Sequence, residues 1–325
     1  MIRKARSKPI KLLKLEVLLE RMVPNHTKKQ QIVGDFVKVN AGFKGEMSLD
    51  FHLTDLLNDH YDIFQDLRLP RDKNKDLFFQ IDSLIVHSRF CVLLEVKNLI
   101  GNLYFDHQFD QIIRTRDGVD ETFPDPINQV ELQAKYFAEW LAAHKLPSVP
   151  LYTLVVITNQ KSYIRTSSKY GKKAQKIIRG NNLAKKINNY EKLHEEALLL
   201  NKERNKLSSL LNKQHTPHNP DILKSYHINT GDILTGVSCP SCNTIPMVRI
   251  KRNWFCKHCS TKSMNAHVKA LQDYALLFDP IAKNKDIREF LHIESRSSAK
   301  KLLSAMNLTP TGLRKSATYT LPIPK

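Results

Sequence analysis

Four cysteines in two tight pairs constrain this chain more than any other feature. Cys239-Pro240-Ser241-Cys242 and Cys256-Lys257-His258-Cys259 are separated by thirteen residues. Four thiolates at that spacing suit a closed tetrahedral Zn²⁺ site built from two knuckles. Between the pairs, Met247-Val248-Arg249-Ile250 and Trp254-Phe255 read as a short β segment. The spacing therefore predicts a zinc ribbon, with Cys239, Cys242, Cys256 and Cys259 as ligands. Zinc held by four cysteines has no open position for a substrate, so it is structural, and a module this small draws much of its folding energy from the metal. His258 is a spare donor that the site does not need. The fifth cysteine, Cys91, stands alone and reads as a small buried apolar residue. A disulfide framework belongs to secreted chains, so reduced thiols in a cytoplasmic protein are the expectation.

Charge narrows the partner. The chain has 51 Lys and Arg against 32 Asp and Glu, a net charge of +19. Self-repulsion of that size weakens a folded state, and an acidic partner explains it best. Nucleic acid is the first candidate, ahead of an anionic membrane surface. No segment approaches the roughly 18 uninterrupted apolar residues of a membrane span. Leu12 to Glu20 carries charges inside its apolar pattern, so it reads as an amphipathic helix and not as an export signal.

At 325 residues, more than one domain is expected. Residues 1–40 read as basic helices interrupted at Pro24. A helix from Glu46 to Leu57 follows, marked by Met47, Leu49, Leu53, Leu56 and Leu57. Tyr61 to Leu67 is a short mixed strand. Phe78 to Val86 and Phe90 to Lys97 are strongly strand-like. Asp125 is a good N-cap with Pro126 at the first helical position, and Ile127, Val130, Ala134, Phe137 and Leu141 mark the buried face of the helix they open. Leu151 to Thr158 is a strand of the fully covered kind. Helix, three strands, helix, strand make one α/β layer domain over residues 41–160. A basic helical region and linker occupy 161–235, the zinc ribbon 236–262, and helices 263–325.

Within the α/β domain, Asp82, Glu95 and Lys97 draw attention. Alternate residues of a strand share a face, so Glu95 and Lys97 point the same way. A symmetric turn centred between Ser88 and Arg89 sets Asp82 directly opposite Glu95, and cross-strand partners share a face. Two carboxylates and an ammonium inside a layer of Phe, Leu and Val are costly unless something compensates them. A divalent cation such as Mg²⁺ held by Asp82 and Glu95 would do so, with room for phosphate oxygens. The same spacing also suits an ion pair of Lys97 with Glu95 or Asp82 at a strand end. His87 and His107 read as loop or surface residues.

Taken together, Gly42-Phe43-Lys44-Gly45-Glu46, Gln80-Ile81-Asp82, Leu94-Glu95-Val96-Lys97-Asn98 with Gly101, and Pro124-Asp125-Pro126 with Gln129 resemble the nuclease-related domain family. That family is placed in the PD-(D/E)xK nuclease superfamily, whose restriction-endonuclease-like core has the same element order. The resemblance implies Asp82 and Glu95 as ligands of Mg²⁺ or Mn²⁺, Lys97 as the catalytic lysine, Glu46 as a further acidic member and Gln129 as the glutamine of the following helix. Ile81 stands where many members have proline. The implied activity is cleavage of phosphodiester bonds, in DNA rather than RNA. A non-catalytic nucleic-acid binder on the same scaffold is the alternative.

The remaining signals concern nucleic-acid contact. Lys161 to Tyr190 holds nine Lys or Arg and no acidic residue. A stretch so unbalanced is either a solvated face or a phosphate contact, and Lys172, Lys173, Lys176 and Arg179 are its candidates. In the ribbon, Arg252 and its basic neighbours flank Trp254, which is equally suited to stacking on a base or packing the module. Asn284 to Leu303 reads as helix, tight turn, helix, with Ser295 or Ser297 as a cap. Its second helix would present Arg296, Lys300 and Lys301, as a helix-turn-helix reader does. An ordinary helical hairpin packed on the zinc module fits the same pattern.

Overall fold

A computed structural model describes residues 1–57, 60–71, 76–312 and 317–324. The chain divides into two compact units, one of Met1–Ser7 with Val39–Pro217 and one of Lys8–Lys38 with His218–Lys325. Strand β1 (Ile2–Lys4), helix α1 (Ile10–Arg21) and helix α2 (Lys29–Leu53) open the chain. Helix α2 thus starts well before Glu46, and ends at Leu53 with a 3₁₀ turn over Thr54–Leu56.

In the first unit the expected order appears with an insertion. After α2 come β2 (Asp62–Pro70), β3 (Phe78–Val86) and β4 (Cys91–Lys97). Three unpredicted strands follow, β5 (Gly101–Asp106), β6 (Gln111–Arg116) and β7 (Val119–Pro124). Then α3 (Pro126–Ala143) and β8 (Leu151–Ile157) complete the core. Asp125 caps α3 as expected, its carboxylate accepting the Ile127 N–H at 2.7 Å, with Pro126 opening the helix. Residues 161–235 were expected to be a basic helical region and linker, yet they begin with two strands, β9 (Ser162–Thr166) and β10 (Ile177–Arg179), before α4 (Leu183–Lys192). Helix α5 (Asn201–Gln214) ends the unit.

The main sheet has the order β1-β2-β3-β4-β8-β10. Strands β2, β3 and β4 are antiparallel neighbours, and β4, β8 and β10 run parallel. Both faces are covered. Leu84, Val86, Cys91, Leu93, Val155 and Ile157 meet Ile127, Val130 and Phe137 of α3. On the other side Ile85, Val92, Leu94, Val96, Leu154 and Val156 meet Leu49 and Leu53 of α2 and Leu183 and Ile187 of α4. Coverage on both faces is why β4 and β8 read as continuous apolar runs. Cys91 is fully buried, and burial pushes its thiol up to about 12, consistent with an inert core residue. A second sheet, ordered β7-β6-β5-β9, carries the insertion. Gly101 begins it at φ +117°, where a Cβ would meet the Thr115 carbonyl at 2.6 Å.

The second unit contains α1, the start of α2, α6 (Ile222–Tyr226), the strands β11 (Val248–Ile250), β12 (Asn253–Phe255) and β13 (Lys262–Ser263), α7 (His267–Leu277), β14 (Ile281–Lys283), α8 (Asn284–Leu291), α9 (Arg296–Ala305) and β15 (Thr318–Thr320). The β14–β15 pair was not anticipated in a region read as helical. Trp254 is fully buried with Val237, Met247, Ala270 and Leu271, so it packs the module and does not stack on a base. Arg21, also fully buried, donates to Asp273 at 2.8 Å and to the carbonyls of Leu234 and Gly236 at 2.9 and 3.1 Å.

Candidate functional site

The β3–β4 hairpin has the register expected from its turn. Ser83 pairs with Leu94, Leu84 with Leu93, Ile85 with Val92 and Val86 with Cys91. One step further the ladder opens at Asp82. Its carboxylate accepts the Val96 N–H at 2.8 Å, closing the split from the side-chain direction. Glu95 is buried on the α3 face at 2% exposure. Its two oxygens accept from Lys97 Nζ at 2.7 Å and Gln133 Nε2 at 3.0 Å. Lys97 also donates to Gln129 Oε1 at 3.2 Å. Asp82, Glu95, Lys97 and Gln129 are therefore gathered where β3 and β4 part.

Glu46 joins them from α2. Arg6, just beyond β1, donates to Glu46, to the Asp82 carbonyl at 3.2 Å and to Ser83 Oγ at 3.2 Å, with Asp50 at 3.4 Å. Burial pushes the Glu46 carboxyl up to about 7; Arg6 opposes this, while Asp66, Glu95 and Asp50 add to it. The Asp82 carboxyl is driven well above the usual range, first by burial and then by the charges of Glu95 and Glu46, against the Val96 N–H and Lys97. Desolvated carboxylates repel one another and favour either protons or a cation. A donor set of hard carboxylate oxygens fits a divalent ion of the Mg²⁺ class.

Arg6, Asp50 and Gln133 were not anticipated. Gln133 lies one helical turn beyond Gln129, so the i, i+4 spacing was a readable signal. Arg6 arrives only because β1 pairs with β2, which no local pattern announces. His87, expected in a loop or at the surface, lies in the β3–β4 loop but is buried at 1% against Tyr61 and Phe90. Burial holds its imidazole down at about 4, and its nearest carboxylate is Glu191 at 3.8 Å. With His60 it forms a second group whose donor atoms lie within 4.8 Å of one another, but Glu191 already accepts from Arg89 at 3.2 Å and Tyr61 at 2.6 Å. His107 is exposed beside Tyr170.

The basic stretch divides. Lys172 is exposed. Lys173 approaches Asn128 at 3.4 Å, and Lys176 pairs with Glu131 at 2.6 Å. Arg179 donates to the carbonyls of Asn159 and Ser162, so its guanidinium ties β10 to the loop after β8.

In the second unit the four cysteine sulfurs lie within 4.8 Å of one another. Cys239 and Cys259 sulfurs are 3.5 Å apart, and those of Cys242 and Cys256 3.6 Å. A tetrahedral zinc with bonds of about 2.3 Å would set its sulfurs about 3.8 Å apart, so the group fits such an ion. The two knuckles repeat one design. Cys239 N–H donates to Thr244 and Cys256 N–H to Thr261, at 3.0 and 2.9 Å. Asn243 and Ser260, each just after the second cysteine of its pair, turn the chain at φ +57° and +59°. Arg252 lies exposed on the β11–β12 turn, and Arg296, Lys300 and Lys301 lie exposed on α9.

No helix among the described residues is long and apolar enough to cross a membrane. Residues 41–158 match the family model of the nuclease-related domain. No curated protein and no solved structure matches the chain.

Proposed function

We propose, from the premise that residues 41–158 belong to the nuclease-related domain family, that this chain is a metal-dependent nuclease acting on DNA. The observation that supports this reading is that Asp82, Glu95 and Lys97 lie close enough to interact where β3 and β4 part. Asp82 and Glu95 would hold Mg²⁺ or Mn²⁺, with Glu46 as a further acidic neighbour. A divalent ion bound there supplies Lewis-acid polarisation of the phosphodiester and lowers the pKa of an attacking water. Lys97 swings from Glu95 toward the phosphate, where its ammonium offsets growing negative charge. Gln129 holds the lysine in reach, and Gln133 holds the second oxygen of Glu95 in place. The four cysteines hold a structural zinc, and reduced thiols accord with a cytoplasmic setting. Lys172 and Lys173 supply phosphate contacts beside the site, with Lys176 and Arg179 adding positive field.

The test is cleavage of DNA by purified protein with Mg²⁺ or Mn²⁺. Asp82→Ala and Lys97→Ala should remove cleavage while binding persists. Equal activity in both variants would assign the cleavage to another site or a contaminant.

One observation favours a second reading. Both Glu95 oxygens already have donors, and Arg6 already sits among Glu46, Asp50 and Asp82. A network closed in this way suits a non-catalytic binder on a nuclease scaffold. Salt-dependent binding without turnover on single-stranded, duplex, branched or RNA substrates would establish it.

A further inference from the structure

The C-terminal elements combine into a shape that the helix pair alone does not make. Helix α7 leads through β14 into α8, a four-residue turn and α9, and β15 then returns to pair with β14. Ile281, Ala282 and Lys283 lie opposite Thr320, Tyr319 and Thr318, and Thr311 bridges Thr318. Helix, strand, helix, helix and a returning strand, with the Thr311 bridge in place of a further strand, approach the connectivity of a winged helix-turn-helix. The turn is well specified. His292 ends α8 at φ +56°, Arg288 donates to the Glu294 carbonyl at 2.8 Å, and Ser295 caps α9 by accepting the Ser298 N–H at 3.2 Å. Ala299, Leu302 and Leu303 bury one side of α9. Its other side exposes Arg296, Ser297, Lys300, Lys301 and Ser304 and has no acidic residue.

A groove of about 840 Å³ lies between this helix and the zinc ribbon. Ser298 and Lys301 line it from α9, Arg249 from β11, and Lys251 and Arg252 from the turn that follows, with His267 and Glu294 in its wall. Arg249 Nη1, on a residue that lines it, is buried without a hydrogen-bond partner among the described residues, and the His267 imidazole is held by the Met264 backbone. Trp254 Nε1 lies 3.2 Å from His267 Nδ1, which leaves the proton on Nε2. Arg249 spends its face on the Trp254 ring, 5.0 Å away, not on a carboxylate. An unsatisfied donor is costly when buried, and an anionic ligand would offset that cost at Arg249.

We infer that α9 and the ribbon turn form one surface that reads B-form duplex DNA, with α9 in the major groove and Arg249, Lys251 and Arg252 on the flanking phosphates. This deepens the reading of the partner as nucleic acid and stands apart from whether Asp82 and Lys97 cleave it. An α-helix about 10–12 Å across fits the B-form major groove of about 12 Å. The A-form major groove of duplex RNA is too deep and narrow for it. Single strands are held by stacking on exposed aromatic rings. Among the described residues of this unit, none of the large exposed apolar side chains is aromatic, and Trp254, Phe290 and Tyr319 are buried.

The experiment is fluorescence anisotropy of the full chain with a labelled DNA duplex, the same sequence as duplex RNA, and its single strand. Ca²⁺ replaces Mg²⁺ so that cleavage does not intervene. The DNA duplex should bind at least tenfold more tightly than the other two. Lys300→Glu/Lys301→Glu should lose about tenfold or more on the DNA duplex and lower the salt slope by about 1 to 2. Arg252→Ala should lose less, uniformly across sequences. All three positions are exposed, and an unchanged content of cysteine-bound metal shows that the unit is folded. Equal affinity for duplex RNA, or wild-type DNA affinity in the double variant, overturns the inference. Either result leaves Mg²⁺-dependent cleavage to be decided by Asp82→Ala and Lys97→Ala, so the two readings fail separately.

Discussion

Glu46 ties the candidate site to the stability of the first unit, and its effect depends on pH. Its carboxyl stands at about 7 in the fold against an ordinary 4.5, chiefly because burial disfavours the charge. A carboxyl raised in this way favours the folded state while it is protonated. That advantage is complete below about pH 4.5 and drains away as the pH climbs through about 7. At 1.36 kcal/mol per pK unit, the difference is about 3 kcal/mol. The side chain is 23% exposed, so little of this is screened. Asp82 shifts in the same direction and adds to the slope. A divalent ion binds only the ionised carboxylates, so its stabilisation should grow over the same window. At a hundred times its Kd, that ion would contribute about 2.7 kcal/mol, offsetting most of the loss. The assay is urea unfolding across the pH range with and without Mn²⁺, read at the first unit. Trp140 and Trp254 fall one in each unit, so Trp254→Phe leaves Trp140 to report the first unit alone. Glu46→Gln should flatten the metal-free pH slope and weaken the Mn²⁺ effect. The reasoning is refuted if Glu46→Gln keeps the wild-type slope, or if Mn²⁺ stabilises equally at both ends of the range.

Three further outcomes are expected. Gln133→Leu leaves a Glu95 oxygen without its donor, so the first unit should lose about 1–3 kcal/mol and kcat should fall more than KM rises, as steady-state kinetics and urea unfolding would register. Removing the zinc proposed at the four cysteines, by chelation or by Cys239→Ser, should abolish the near-ultraviolet circular dichroism of Trp254 while Trp140 fluorescence stays native. Asp273→Ala strands the fully buried Arg21 guanidinium and should cost the second unit about 3–5 kcal/mol, a loss that added salt does not reduce when measured by thermal unfolding.

Much of the candidate site was legible because its signals are local. A four-residue turn sets the β3–β4 register, so Asp82 and Glu95 come together through short-range geometry alone. Asp125 followed by proline announced α3, and that helix delivers Gln129 beside Lys97. Strands β6 and β7 were missed because Gln111 to Arg116 and Val119 to Pro124 lack the apolar alternation that marks a half-buried strand, whereas β5 carries that alternation at Leu103 and Phe105 and was readable. β14 and β15 were missed because three-residue strands carry almost no pattern.

The chain itself determined what rests on covalent spacing and periodicity. These are the paired cysteine knuckles, the apolar runs of β4 and β8, and the acidic and basic positions on the hairpin. Only tertiary structure decided which distant groups surround them. Arg6 reaches Glu46 and Asp82 because β1 joins the edge of the main sheet, and Trp254 became core because α7 covers it. The physical reason is range. Turn geometry, helical repeat and ligand spacing act over a few bonds, whereas strand pairing and burial are settled by competition among segments far apart in the chain.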